Sequence, residues 1–524
     1  MSHRATTFFS LIALLTACIY SLVFFIHQSL YLSVFPFSLD YGEGIIWQQA
    51  LDIFTPNAYG PIDQFPAIVF HYTPIYHSVA ITLATLCNSD VLLTGRLISI
   101  CSTLLIALII ALITNRATPP NTPPIYRIII CTSSGLLILS AYPIITWSQL
   151  MRVDMLALLF TITGFWLGLK SLEKCKWIYL AALFFVLAVF TKQNSIFAPL
   201  SLFSLLLWLY PRLALKGIAT CLFLGLLTLG VLLFTLGGKF LNHIFIYNIN
   251  TFDLRRLSML MEGLRAHLLF VLLSIITIIT GLRKFFYYLN CRGTKSIREA
   301  ILFDQSTITF LAIFIYFLFA TVSLLLITKE GAGINYTMEW FLACILLLGI
   351  MLSDSVIPLN TANCMEIEES MRSFQLRSFT LPLLVALHVF LFTYQIKSKS
   401  ILDNLPEEKN RLESLAHIIK NSKKPVISDE MVLLHRSGKS VMWESAIFAQ
   451  LERAGLWNPQ PLADRIRDGE FSMIITHGDR GDFIFDQRYT PTLADAIEKA
   501  YPSKEKVGVY VVHLPVNNKF SANK

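Results

Sequence analysis

PFSLDYGEGIIWQQALDIF, residues 36–54, follows an apolar run and opens the stretch that decides how the chain is laid out. From Pro36 to Asp90 there is no Lys or Arg, while Asp40, Glu43, Asp52 and Asp63 are acidic. Cytoplasmic loops of membrane proteins collect Lys and Arg, so a base-free loop after the first apolar segment belongs on the opposite side. It also puts carboxylates at the membrane surface, where a general base acting on a membrane-bound substrate would have to stand.

The composition places that loop in a membrane protein. Of the 524 residues 55% are hydrophobic and 15% charged, with a mean hydropathy of +0.61. The polar surface that soluble domains need is missing until about residue 397. The net charge of +8 would suggest nucleic acid in a soluble protein. Here the basic residues sit in short loops between apolar runs, which reads as topology, so nucleic acid is set aside as a partner. The nine cysteines are scattered singly, without a C-x-x-C pair and with none beyond Cys364, so neither a metal site nor a disulfide framework is expected.

Apolar runs of about 20 residues are long enough to cross a bilayer. They occur at Phe8–Val34, read as an uncleaved signal anchor with Arg4 inside, and at Val91–Thr114, Ile125–Ile145, Gly217–Leu236, Thr307–Ile327 and Phe379–Ile396. Leaner runs lie at Met155–Leu169, Trp177–Phe190, Ser195–Leu209, Leu268–Leu282 and Met338–Leu352. Together they predict eleven spans in a mainly α, polytopic membrane protein. Thr73–Cys87 is also apolar but is broken by His77, Ser78, Thr82 and Thr85, and reads as an interfacial helix of the first outer loop, residues 36–90.

Charge supports that parity. With the N-terminus inside, fifteen basic residues fall in inner segments, among them Arg116, Lys174, Arg212, Arg292, Lys295, Arg298 and Arg377. Seven fall outside: Arg152, Lys192, Lys239, Arg255, Arg256, Arg265 and Lys329. Counting Thr73–Cys87 as a span would reverse the excess. The membrane domain is therefore 1–396 and the tail 397–524. In the tail, strands are expected at Pro425–Asp429, Phe471–Thr476 and Val507–Leu514, with helices at Ala446–Ala454, Pro461–Arg467 and Thr492–Ala500. This is a small α/β domain, and odd parity makes it extracytoplasmic, beside the acidic loop.

Four motifs share that outer face. Asp40 and Glu43 supply carboxylates, or are a capping box for a helix Ile45–Phe54 with Asp40 as N-cap. Arg152 and Asp154 precede a span, as a charge pair that either serves chemistry or snorkels to headgroups. Thr191-Lys192-Gln193-Asn194 is a tight turn rich in donors, which suits a phosphate, although a lone Lys can also be an interfacial anchor. Lys329–Tyr336 is a glycine-containing connection that reads as a plain loop or as a contact surface through Asn335, Tyr336 and Glu339. The segment Gly238–Ala266 adds Arg255 and Arg256 and an apolar stripe suited to a surface helix on lipid headgroups. Singly these are weak. Jointly they place carboxylates, Lys and Arg at headgroup depth on one side.

With Asp40-Tyr41-Gly42-Glu43-Gly44, Tyr72-Thr73-Pro74-Ile75-Tyr76, Gly95-Arg96-Leu97, Arg152-Val153-Asp154-Met155-Leu156 and Thr191-Lys192-Gln193 on the page, the chain resembles the polytopic GT-C glycosyltransferases that use a polyprenyl-phosphate sugar. It looks most like the protein O-mannosyltransferases and the lipid A aminoarabinose transferase. The tail also looks like the α/β domain that follows the last span in many bacterial members. The resemblance implies that Asp40 is the catalytic first-loop carboxylate and Asp154 a second active-site acid. It also implies that basic residues of the outer face meet the lipid phosphate. One departure stands out. Some relatives carry an acidic-basic pair before the Pro of Tyr72–Tyr76, where this chain has His71-Tyr72, so Lys192, Arg255 or Arg256 takes over that contact.

The expectation is a membrane glycosyltransferase of the bacterial inner membrane that passes a sugar from polyprenyl phosphate to a glycolipid, glycan or protein. Asp40, Glu43 and Asp154 would be catalytic. Arg152, Lys192, Gln193, His71, Tyr72, Arg255 and Arg256 would hold the lipid phosphate and donor. Asn335, Tyr336 and Glu339 would contact donor or acceptor. No resident cofactor is expected; GT-C relatives differ over divalent cations, and Asp40 with Glu43 neither requires nor excludes one. The alternatives are a transporter or flippase of lipid-linked glycans, which predicts paired halves with broken helices at mid-membrane, and a glycan polymerase or ligase using a lipid pyrophosphate.

Overall fold

The structure is a computed structural model that describes residues 3–248, 250–291, 305–356, 364–398, 402 and 404–516. Arg292, Lys295 and Arg298 of the inner charge count lie outside the described residues. Each expected span holds a helix, although Ile125–Ile145 is corrected to a helix ending at Leu136, a 3-10 turn Leu137–Ser140 and a break at Ala141 before Tyr142–Trp147. The first is α1 (His3–Ser33), and after the first loop come α4 (Val91–Ala117), Pro124–Leu136, Asp154–Lys170, Trp177–Val189 and Phe197–Leu209. Pro211–Leu236, Leu268–Cys291, Gln305–Ser323, Met338–Ser355 and Cys364–Ser398 complete the set. Among the described residues, six helices are long and apolar enough to cross a bilayer alone, and a seventh arises if Leu254–Ala266 and Leu268–Arg283, bent by 83°, count as one. The rest are shorter, so eleven full crossings do not follow from length.

Packing in the helical body relies on small residues, because lipid leaves little hydrophobic drive between helices and close approach must supply van der Waals contact instead. A Cβ on Gly135 would lie 2.4 Å from the Ala107 carbonyl oxygen, and one on Gly168 would lie 2.0 Å from Leu202. Met338–Ser355 is the most enclosed of the long helices, while Pro211–Leu236 is almost entirely open along its sides. An apolar helix with so little protein around it is one whose surface suits lipid.

The first loop is folded, with α2 (Gly42–Asp52) and α3 (Ile75–Leu86) joined by extended segments. The α3 helix lies within the stretch Thr73–Cys87. The expected capping box is corrected. The N-cap is Tyr41 and makes no side-chain cap; Asp40 accepts from the Gly42 N–H and from Arg152, and Glu43 from the Leu39 N–H and from Arg96. Two long-range ion pairs are added to these local bonds.

In the tail a four-stranded sheet runs in the order β1-β2-β4-β3, with β1 (Val426–Ser428) parallel to β2 (Met473–His477). β4 (Tyr510–Leu514) runs antiparallel to both β2 and β3 (Ser503–Val507). The expected single strand Val507–Leu514 is corrected to two strands that turn at Gly508, φ +64°. β3 was not expected because Ser503-Lys504-Glu505-Lys506-Val507 carries edge-strand charges and no apolar alternation. The helices Leu405–Lys420, Met431–Arg436 and Phe483–Arg488 were also unforeseen; the other strands and helices lie within a few residues of their expected bounds.

The core of the tail is continuous with the first loop. Ile45, Ile46, Trp47 and Phe70 of the first loop share one buried cluster with Leu412, Val426, Met431, Val432 and Val512 of the tail. A second cluster joins Ile62, Ala67 and Val69 to Ile427, Trp443 and Trp457. At about 1.5–3 kcal/mol per fully buried large apolar side chain, loop and tail form one globular layer at one end of the helical body.

Candidate active site

The motif Asp40–Gly44 is where that layer meets the helices, and each residue in it has its own environment. Asp40 Oδ2 accepts from the Gly42 backbone N–H at 2.9 Å and from Arg152 Nη1 at 3.0 Å, and the Asp40 side chain is 35% exposed. Gly42 is required by this pair. A Cβ there would lie 1.3 Å from Arg152 Nη1, so the guanidinium lies where any side chain would be. Burial works against the charge on Arg152, but the Asp40 carboxylate, with smaller help from Tyr72, Asp154 and Glu43, holds its pKa above the usual arginine range. Its Nε is buried with no hydrogen-bond partner among the described residues.

Glu43 is spent differently. Oε1 accepts from Arg96 Nε and the Met151 N–H, both at 2.8 Å, and Oε2 accepts from Arg96 Nη2 and the Leu39 N–H, both at 2.7 Å. Arg96 uses its remaining donors on the carbonyls of Leu32, Phe35 and Phe37 at 2.6 to 2.9 Å. Neither side chain is exposed. A carboxylate with four acceptor sites filled has no lone pair left for a substrate proton. Glu43, expected among the catalytic residues, has its acceptor sites filled by the chain's own donors and ties the first loop to Arg96.

Asp154 opens the helix Asp154–Lys170. Its Oδ1 accepts from Lys192 Nζ and from Asn335 Nδ2, each at 2.7 Å, while Oδ2 has no partner among the described residues. Lys192 lies 4.8 Å from the centroid of the Tyr336 ring. Burial would discharge this ammonium, but Asp154 outweighs it and raises the pKa. Tyr72 bridges the two halves of the site. Burial pushes its hydroxyl up to about 12, and the charges of Arg152, Asp154 and Lys192 all act on it. Gln193 donates from Nε2 to the His71 carbonyl at 2.8 Å, and Ile75 N–H donates to the Phe190 carbonyl at 3.1 Å, binding the lysine turn to the first loop. Burial, aided by Arg152 and Lys329, drives His71 down to about 3, so its ring is neutral.

The connection 329–337 closes the other wall, with Gly331 at φ +79° allowing the turn. Asp154, Lys192, Asn335, Tyr336 and Glu339 line one cavity, and the Tyr316 hydroxyl donates to Glu339 at 3.1 Å. Arg255 and Arg256 are not part of this cluster. The Arg255 side chain is 92% exposed and pairs with Asp253, while Arg256 Nη2 donates to the Ala332 carbonyl at 2.9 Å and braces the wall from behind. Asn248, which donates to the His71 carbonyl at 2.9 Å, was missed and carries no local signal. Arg96 was readable: an arginine within an apolar span is costly and has to be partnered. Among the described residues no group of three or more His, Cys, Asp or Glu could hold a metal ion.

The first loop, the lysine turn, the 329–337 connection and the tail thus meet at one end of the helical body. No family model matches the sequence, and no curated protein does either. Solved structures do. The chain is similar to the crystal structure of ArnT from Cupriavidus metallidurans bound to undecaprenyl phosphate, with 15% identity and a TM-score of 0.54 over 95% of this chain and 98% of that one. It is also similar to the apo oligosaccharyltransferase of Archaeoglobus fulgidus, with 8% identity and a TM-score of 0.51 over 94% of this chain and 72% of that one. The chain shares the overall fold of these two structures.

Proposed function

We propose that this protein is a membrane glycosyltransferase that moves a sugar from a polyprenyl-phosphate donor to an envelope acceptor on the outer face of the cytoplasmic membrane. The observation that carries the reading is the partly exposed Asp40 carboxylate, held by Arg152 and set beside the Asp154–Lys192 pair. In the proposed step Asp40 takes the proton of an acceptor hydroxyl as its oxygen attacks the anomeric carbon. The bond to the phosphate oxygen breaks, and polyprenyl phosphate leaves with the electron pair. Lys192 and the partly exposed Arg152 guanidinium meet the phosphate, and Asp154 keeps Lys192 charged and in place. A single displacement inverts the anomeric centre. Tyr72, Gln193 and neutral His71 shape the donor site, and Asn335, Tyr336 and Glu339 line the cavity beside it.

The likeness to a structure bound to undecaprenyl phosphate supports the donor class. The shared end of loop and tail fits the expected parity, in which an even number of crossings separates them. The acceptor is a glycolipid, a glycan or a protein. The purified protein in nanodiscs, given a polyprenyl-phosphate monosaccharide and envelope extract, should transfer the sugar. Reaction only with oligosaccharide pyrophosphates would make it a polymerase or ligase, and no reaction with either would leave transport.

A further inference from the structure

The tail grips the residues on either side of Asp40. Ser38 Oγ donates to Glu430 Oε2 at 2.5 Å. The Tyr41 hydroxyl donates to Glu444 Oε1 at 2.5 Å, and its ring lies 3.8 Å beneath the Arg488 guanidinium. Arg488 in turn pairs with Asp429 at 3.2 Å, and Asp429 is fixed by Ser445, Tyr489 and the His477 N–H. Arg436 donates to the Pro36 carbonyl at 2.6 Å and covers the Trp47 ring at 4.9 Å. A Cβ on Gly44 would lie 2.8 Å from that of Met431, so α2 sits directly on the tail.

Residues 36, 38, 41, 44 and 47 are therefore held from the tail side, while Glu43 is held from the membrane side by Arg96. Asp40 is left between them, turned toward Arg152. We propose that the tail is a brace for the catalytic loop, with Tyr41, Glu444 and Arg488 as positioning residues that set where the Asp40 carboxylate stands. The inference rests on the reading of Asp40 as the base. Its physical ground is that a misplacement of about 1 Å at a reacting group can cost on the order of 10²-fold in rate. A guanidinium stacked on an aromatic ring is also a flat, orienting contact that a lysine does not reproduce.

The test uses the full-length enzyme in nanodiscs with saturating acceptor and a polyprenyl-phosphate monosaccharide. Tyr41→Phe, Glu444→Gln and Arg488→Ala should each lower kcat about 10- to 100-fold. The KM of the donor should stay within about twofold, and Arg488→Lys should restore only part of the loss. Asp40→Asn is run alongside. If it keeps full activity, the base assignment falls and the brace with it. If it is inactive while the three variants keep wild-type kcat, the brace alone is overturned. A higher acceptor KM at unchanged kcat would overturn it in favour of acceptor binding, and a lower melting temperature at unchanged kcat per folded enzyme would reduce the tail to a structural cap.

Discussion

Asp40 and Glu43 stand three residues apart, and each faces an arginine, yet the two pairs live in different worlds. Glu43–Arg96 is sealed, with every acceptor and donor used and neither side chain exposed. Asp40–Arg152 is a single hydrogen bond at 3.0 Å, with the acid 35% and the arginine 16% exposed and an arginine N–H unused. A saturated buried pair is rigid and has nothing left to give a ligand, whereas an open one holds charge in place and leaves acceptors and donors for chemistry. In this loop the difference between the two pairs lies in occupancy rather than in residue type.

The widest gap between the pairs should show in activity. Asp40→Asn should lower kcat by about 10²- to 10⁴-fold with an unchanged melting curve, measured as sugar transfer per mole of folded enzyme. An enzyme that still works at wild-type rate would erase the distinction. Arg96→Met should act on stability instead, since it leaves Glu43 buried and unpaired, at a cost of about 3–5 kcal/mol. Thermal unfolding in detergent would read it, and Arg96→Met with Glu43→Leu should recover only part of the loss, since the Leu32, Phe35 and Phe37 carbonyls and the Leu39 and Met151 N–H groups lose their partners.

Gly42→Ala sharpens the comparison at its hinge. Its new methyl collides with Arg152 and not with Arg96, so the mobile guanidinium should swing away and activity fall about tenfold, at a stability cost of about 1 kcal/mol. A larger stability loss without an activity loss would mean that Arg152 is scaffold too. The smallest effect concerns pH. Burial pushes Glu430 up from 4.5 to about 7, opposed by donation from Ser38, Tyr510 and the Val432 N–H and aided by the Glu43 charge. A raised acid is favoured protonated in the fold, so its contribution to docking is full below pH 4.5 and lost as pH rises through about 7. The wild type should therefore lose melting temperature over that window by on the order of 2 °C more than Glu430→Gln, and parallel curves would remove Glu430 from the docking contact.

Much of the helical body was legible because apolar runs, once in lipid, have no way to satisfy their backbone except as helices. Asp40, Asp154, Lys192 and Asn335 were legible too, as polar residues at the ends of such runs, and the structure brings them to one place. Arg255 was not placed by the same reasoning. Its charge suited a phosphate, but its loop leaves it in solvent beside Asp253. Glu43 misled because D-x-x-E reads locally as a capping box, and its true partner is Arg96, fifty-three residues on.

The amino-acid order determined the class of molecule, the order of its helices, and which carboxylates and bases lie near one surface, because hydropathy and charge act over short stretches of chain. Which acid is silenced and which is left open was decided only when α4, the tail and the 329–337 connection closed around the first loop. The physical reason is that a carboxylate's role depends on how many donors surround it and how much water reaches it. Those partners come from residues tens to hundreds of positions away.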